Sequence, residues 1–246
     1  MTTAPRMSLS KKRRTNLCGK PFEDLSHVCA FVDSRDQQYE IFLPFLREGL
    51  NCGECLLNIV AQENRADHSA RLVYGGIDSD ELVADGRQKL LGFGETYLKD
   101  SHFSADRMLA TMEEAMVSVR REGFPGLRGF GEMHWAVNGL PDTDALVEYE
   151  SCLNYLVPQY DASIVCVYDV SKFSGRLVMD VLCTHPRVIL GGEIFENPYY
   201  MQPGVFLKYL ADRKTLRAHA RNHSAPEHFS PSHQQTSSST YSSPSP

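Results

Sequence analysis

The chain contains no run approaching the roughly 20 apolar residues that a membrane-spanning helix needs, which excludes a helical membrane protein. No apolar segment follows the basic run Lys11–Arg14, so a secretory leader is not expected and the protein is expected in the cytoplasm. Its seven cysteines are an odd number, and Cys29, Cys55, Cys166 and Cys183 lie in apolar runs, a pattern of reduced buried thiols rather than of a disulfide framework. Cys52 and Cys55 form a C-x-x-C, but no second ligand pair at zinc spacing accompanies it, and Cys55 opens an apolar strand. The motif is therefore read as coincidence. There is no internal repeat and no G-x-S-x-G elbow. Neither Gly92-Phe-Gly94 nor Gly129-Phe-Gly131 completes a dinucleotide fingerprint.

What is present is an ordinary globular composition, 42% apolar and 23% charged. The net charge of −6 hides an asymmetry. Residues 1–20 carry six basic side chains and no acid, and residues 213–246 carry four basic and one acidic, which leaves −15 on residues 21–212. A body that acidic repels phosphate backbones, so nucleic acid is not an expected partner except weakly through the basic N-terminal tail, and no membrane partner is expected. Residues 1–20 and 214–246 are expected to be disordered tails around one domain over 21–213, because neither tail can bury enough apolar surface to offset chain entropy.

Within the body, apolar runs alternate with helical patterns. Strands are expected at His27–Asp33, Cys55–Ala61, Lys89–Phe93, Leu127–Met133, Ala162–Tyr168 and Arg187–Leu190. Helices are expected at Gln38–Leu50, Arg65–Tyr74, Ser79–Ala84, from Ser104 to Glu122, from Asp142 or Thr143 to about Leu156, Ser174–Cys183 and Gly204–Arg213. Near-continuous apolar strands alternating with helices predict an α/β fold: a three-layer, mostly parallel sheet with helices on both faces.

In such a sheet ligands bind outside the carboxyl ends of the strands. The groups expected there are Asp33 with Ser34 and Arg35, Gln62 and Glu63, Glu95 with Tyr97, Glu132 with His134 and Trp135, Tyr168 and Asp169, and Asn197 with Tyr199. A phosphate loop after the first strand would read G-x-x-x-x-G-K-[ST], cradling phosphates with backbone N–H groups. Here residues 33–40 contain no glycine and no lysine, and they carry Asp33, Asp36 and Glu40, so a triphosphate is not expected to bind. His27 and Cys29 share one strand face and, with His134 or His185, make a metal or redox candidate. A hydrogen-bonded core histidine beside a buried cysteine is the preferred reading, so no metal or other cofactor is expected. Trp135 is read as packing before stacking, and Tyr199-Tyr200 either lids a pocket or packs on the sheet.

The segment from Phe45 to Val60, FLREGLNCGECLLNIV, resembles the RecA/KaiC-like pattern F-L-x-x-G-L-x-x-G-E followed by a strand. More closely, the chain resembles the MEDS family, a sensory domain named for methanogens, methylotrophs and the regulator DcmR. The matching pieces are His27-x-Cys29, Phe45–Glu54, Glu95-Thr96-Tyr97, Gly131-Glu132-Met133 with Trp135, Glu148-Tyr149-Glu150, Tyr168-Asp169, Thr184-His185-Pro186 and Glu196-Asn197-Pro198-Tyr199-Tyr200. The resemblance implies a RecA-like fold with a degenerate nucleotide site, used to sense a small molecule and signal to an output module. That module is a helix-turn-helix in DcmR-like regulators and a kinase-type ATPase in others. Residues 1–20 are too short and 221–246 too polar to form either.

The expected function is thus a stand-alone sensor. It binds a small organic ligand with residues from the set His27, Cys29, Asp33, Glu63, Glu95, Tyr97, Glu132, His134, Trp135, Tyr168, Asp169, Asn197 and Tyr199. It regulates a separate protein, such as a kinase, an anti-sigma factor or a transcription regulator, and it does not hydrolyse ATP. Two alternatives are a metal- or thiol-dependent enzyme built on Glu132, His134 and Cys29, and a non-catalytic scaffold.

Overall fold

A computed structural model describes residues 15–23, 25–137 and 143–223, with side chains up to residue 219. Along the chain run β1 (Thr15–Leu17), β2 (Lys20–Phe22), β3 (His27–Val32), α1 (Arg35–Asn51), β4 (Cys55–Val60), α2 (Arg65–Tyr74), α3 (Ser79–Ala84) and β5 (Gln88–Gly92). Then follow α4 (Ala105–Arg121), β6 (Leu127–Glu132), α5 (Thr143–Leu156), β7 (Ala162–Asp169), α6 (Gly175–Thr184), β8 (Arg187–Leu190), β9 (Glu193–Glu196) and α7 (Pro203–His223). Serine oxygens cap three of the helices: Ser34, Ser104 and Ser174 accept from the backbone N–H three residues on. Each such cap is worth about 1 kcal/mol.

Seven strands form one sheet in the order β5-β4-β6-β7-β3-β8-β9, and only β9 is antiparallel to its neighbour. Side chains alternate across it and are buried on both faces, as a parallel sheet between helical layers requires. On one face Val28, Ala30, Leu56, Val60, Val165 and Val167 meet Phe42, Phe45 and Leu46 of α1, Leu72 of α2 and Leu82 of α3. On the other, Cys29, Phe31, Leu57, Ile59, Cys166 and Tyr168 meet Met108 and Met112 of α4, Leu146 and Leu153 of α5, Leu177 and Val181 of α6, and Phe206 and Leu210 of α7. The expected three-layer, mostly parallel arrangement is the one observed.

The differences lie in short elements and at edges. Residues 15–20, expected as tail, pair with the start of the expected domain as an antiparallel hairpin over 15–22, whose Leu17 is buried beside α1. The Asn16 backbone N–H donates to Glu48 Oε2 at 2.8 Å. That carboxylate also accepts from the fully buried Arg128 of β6 at 2.5 Å, and Arg128 Nε donates to Glu54 at 2.7 Å. Gly49 makes room for this arginine, since a Cβ there would stand 2.7 Å from Arg128 Cδ. The antiparallel edge strand β9 was not expected either. Helix α7 is described to His223, beyond the expected limit at Arg213. Among the described residues one compact unit extends to Leu210, and residues 211–223 fall in a second. Among the described residues no helix is long and apolar enough to cross a membrane. The helix cap expected at Asp142 lies outside the described residues.

Candidate functional site

The chain leaves β4 for β5 and leaves β6 for β7 in opposite directions along the sheet, so the carboxyl ends of β4 and β6 border the crevice where α/β sheets bind ligands. Glu132, the last residue of β6, points into this junction with 2% of its surface exposed. The groups within hydrogen-bond reach of its carboxylate are all donors. Arg35 Nη1 stands at 2.9 Å, Asn64 Nδ2 at 3.1 Å, Gln38 Nε2 at 3.2 Å and the Ala61 N–H at 3.3 Å, with His134 Nδ1 at 3.7 Å. Burial alone would raise this carboxyl's pKa. The Asn64 and Gln38 hydrogen bonds and the Arg35 and His134 charges carry it below the ordinary value instead.

The helix start after β3 explains how Arg35 reaches that position. The Ser34 cap begins α1 at Arg35, earlier than the expected Gln38, so the segment becomes helix where a phosphate loop would need flexible backbone. Arg35 also donates to Asp67 at 2.9 Å and stacks over Tyr39. Tyr39 in turn stands 2.7 Å from His68 Nδ1, whose Nε2 faces Asn58 at 3.1 Å. Burial, first of all, lowers the His68 pKa to about 4. A hydrogen-bonded chain therefore runs from the strand ends into the α1–α2 layer.

Beside Glu132 a cleft of about 600 Å³ opens between the ends of β4, β5 and β6. Phe93, Leu98 and Trp135 give it apolar walls, and Gln62, Glu63, Arg65, Glu95 and His134 its polar groups. Its size and mixed lining are those of small-molecule sites. Trp135 stacks on Tyr97 with ring centroids 4.7 Å apart, and His134 meets Phe93 edge-on at 5.0 Å. The Tyr97 hydroxyl lies so close to Gly131 that a Cβ at that position would collide with it. Glu95 closes its own turn by accepting from Gly92 N–H at 2.6 Å and stands 3.9 Å from Arg65.

A second polar cluster lies on the α5–α6 face of the sheet, apart from the cleft. His27 of β3, Cys166 of β7, Glu150 of α5 and His185 after α6 are all buried, and their ligand-type atoms lie within 4.8 Å of one another. Glu150 Oε2 is 3.1 Å from His27 Nε2, 3.3 Å from His185 Nε2 and 3.3 Å from Cys166 Sγ. Tyr168 donates to the other oxygen, Oε1, at 2.6 Å. Burial, first of all, lowers the His27 pKa, while burial and Glu150 push the Cys29, Cys166 and Tyr168 groups well up.

The expected site residues thus divide. Glu63, Glu95, His134 and Trp135 line the cleft, with Tyr97 and Glu132 directly behind it. His27 and Tyr168 belong to the buried cluster instead, and Cys29 lies in the same core with its thiol 3.7 Å from Arg187 O. Tyr168 therefore does not face a pocket mouth, because its alternation in β7 turns it under α5. Asp33 is exposed at the end of β3, and Asp169 bonds Ser171 and Lys172 in its own turn. Asn197 donates to Leu182 O and His185 O at 2.7 Å each, a turn-fixing role. Tyr199 is 61% exposed and does not line the cleft. The combination of Glu132, His134 and Cys29 is not assembled, and His185 rather than His134 meets His27. Arg35 was expected at a strand end but not in the ligand-binding set, and Glu150 and Cys166 were not singled out as site residues. Glu150 had a signal: it falls on the apolar stripe Leu146, Val147, Leu153 of a helix.

Sheet order, crossover helices and an ion-paired helix start in place of a phosphate cradle define a three-layer α/β domain with a mostly parallel sheet. The profile of the MEDS family, "MEthanogen/methylotroph, DcmR Sensory domain", matches residues 26–186, and the chain belongs to that family of sensory domains. It is similar to the "Transcriptional repressor DcmR" of Methylorubrum extorquens, 27% identical over 180 residues, which cover 72% of this chain and 64% of the repressor. The chain therefore spans just under two thirds of that relative's length. Among solved structures it is similar to the uncharacterized protein PH0321 from Pyrococcus horikoshii, in complex with an unknown peptide. There the TM-score is 0.53 and the identity 15%, over 69% of this chain and 78% of that one. The KaiC-like protein PH0186 from Pyrococcus horikoshii OT3 aligns with a TM-score of 0.48 and 11% identity, over 66% of this chain and 69% of that one. The family places the chain among sensory domains.

Proposed function

We propose that residues 21–213 act as a sensor that binds a small organic molecule in the cleft at the ends of β4, β5 and β6. The sensor regulates a protein partner of the kinase, anti-sigma or transcription-regulator kind. The observation that carries this reading is the cleft itself: its volume, its Phe93–Leu98–Trp135 wall and its few polar groups suit a compact molecule with an apolar portion. The exposed acids Glu63 and Glu95 at its rim disfavour a polyanion, and Arg35 is already paired with Glu132 and Asp67. ATP hydrolysis is therefore not part of the proposal, because the cation nearest the strand ends is committed to carboxylates and no glycine-rich cradle follows β3.

Trp135 is the only tryptophan, so its fluorescence reports on the cleft directly. Titration with a panel of small alcohols, amines, halogenated hydrocarbons and short acids is expected to give saturable quenching by one chemical class, with a matching rise in Tm. Phe93→Ala and His134→Ala should weaken that response about 10-fold or more. If no compound in the panel moves either signal, the sensor reading fails. Mg²⁺-dependent ATP binding with phosphate release would overturn the exclusion of ATP chemistry.

A further inference from the structure

The donor geometry around Glu150 leaves a charge unaccounted for. The Asn154 side-chain N–H₂ lies within 2.7–3.2 Å of three backbone carbonyls, those of Glu150, Ser151 and Thr184. That fixes the amide, because the reverse orientation would set its oxygen against those carbonyls. The Asn154 Oδ1 therefore faces His27 Nδ1 at 3.2 Å and must accept from it. The His185 Nδ1 faces the Val181 carbonyl at 2.8 Å and the Thr184 hydroxyl at 3.0 Å; that hydroxyl gives its own proton to the same carbonyl at 2.9 Å, so both groups accept from the ring. Both rings thus carry their proton on Nδ1, and both neutral rings turn a bare Nε2 lone pair toward the same carboxylate oxygen. The His185 Nε2 is fully buried and has no hydrogen-bond partner.

Lone pairs do not converge on a buried anion without a cation between them. A single proton can join Glu150 to one ring only, leaving the other ring facing the same oxygen. We propose that His27, Glu150, Cys166 and His185 form a closed binding site for one divalent first-row transition ion, of the kind that zinc fills. Bonds of about 2.0–2.3 Å to nitrogen, oxygen and sulfur make the edges of a tetrahedron about 3.3–3.8 Å long. Four of the six separations among the Glu150, His27, His185 and Cys166 atoms, at 3.1 to 3.5 Å, already lie near that size, and all six are within 4.8 Å. The second shell is in place too: Asn154 and the Val181 carbonyl hold the two imidazole N–H groups, and Tyr168 occupies the other carboxylate oxygen. On binding, the Cys166 thiol releases its proton to solvent. The thiolate and carboxylate then balance the 2+ ion, so the buried site is neutral overall. One ion would tie β3, β7, α5 and the end of α6 together, which assigns it a structural role distinct from the cleft.

The full chain, purified without chelator, is expected to carry about one equivalent of zinc or another such ion by elemental analysis. Chelator-treated protein should gain Tm on adding ZnCl₂, and with CoCl₂ should show a thiolate-to-cobalt charge-transfer band with the strong visible absorption of a tetrahedral ion. Cys166→Ser should abolish the charge-transfer band, Cys29→Ser should keep it, and Asn154→Ala should weaken metal affinity about 10–100-fold. Absence of metal in the purified protein, with no band and no Tm gain on addition, overturns the proposal and leaves a proton-sharing core network. A band that survives in Cys166→Ser also overturns it, assigning the metal to other thiols. Circular dichroism of each variant separates loss of metal from loss of fold.

Discussion

Two buried carboxylates, Glu132 and Glu150, stand on opposite sides of the same sheet, and their surroundings differ in one respect. Around Glu132 all the neighbours bring hydrogens: a guanidinium, two amides and a backbone N–H. Around Glu150 Oε2, two of three neighbours bring lone pairs. Burial of a carboxylate therefore says little by itself. The first arrangement is complete and closes a site that the fold could otherwise offer to phosphates. The second is incomplete as protein alone. The family motifs that lie far apart in sequence, at His27, Glu150, Tyr168 and His185, meet at the second.

The largest test of this contrast is Glu150→Ala, which leaves two inward-facing imidazoles and a thiol without their shared partner. A loss of about 3–5 kcal/mol is expected from urea unfolding. A loss below 1 kcal/mol would show that Glu150 is no more than a spectator. Next, the His68 ring has a folded pKa of about 4 against its ordinary 6.5. Below pH 6.5 the unfolded ring takes a proton that the folded ring refuses, so stability is complete above that pH and falls as pH drops toward 4. The cumulative loss is about 3 kcal/mol at most. In His68→Asn the slope of stability against pH between 4 and 6.5 should flatten, and an unchanged slope would remove His68 from the Glu132 network.

Arg35→Ala should cost about 2 kcal/mol, less than the buried pair on the other side, because Arg35 is partly exposed and Gln38, Asn64 and Ala61 still bond Glu132. A cost equal to that of Glu150→Ala would erase the distinction between the two carboxylates. Gly131→Ala pushes on the Tyr97 hydroxyl, so a loss of about 1–2 kcal/mol and a shift in Trp135 emission are expected. Tyr199→Ser should stay within about 0.5 kcal/mol and leave ligand-dependent quenching intact, since its ring is exposed away from the cleft. A lost response there would restore it as a lid.

Legibility in the sequence followed the length and burial of each element. Strands β3, β4 and β7 announce themselves because burial on both faces demands near-continuous apolar runs, as in Ala162–Tyr168. The strands β1, β2 and β9 have three or four residues each and alternate or mix polarity, so they carry no such signal. At the cleft, Glu63, Glu95, His134 and Trp135 were readable because they directly follow strands, and strand ends are where this architecture exposes side chains. Arg35 was readable at a strand end but its partner was not: the same segment read as acidic, and only the fold shows that Asp36 turns to Arg71 while Arg35 turns inward to Glu132.

From the sequence alone came the layered α/β class, the absence of a phosphate cradle and the family resemblance, because each rests on local pattern: periodicity, missing glycines, short motifs in order. What only the tertiary structure decided is which charges meet. His27, Glu150, Cys166 and His185 are brought together by two strands and two helices far apart in the chain, and the tautomers of the two histidines depend on Asn154 and on the Val181 carbonyl. No local pattern encodes that, since a side chain's protonation and partners are set by whichever groups packing places around it.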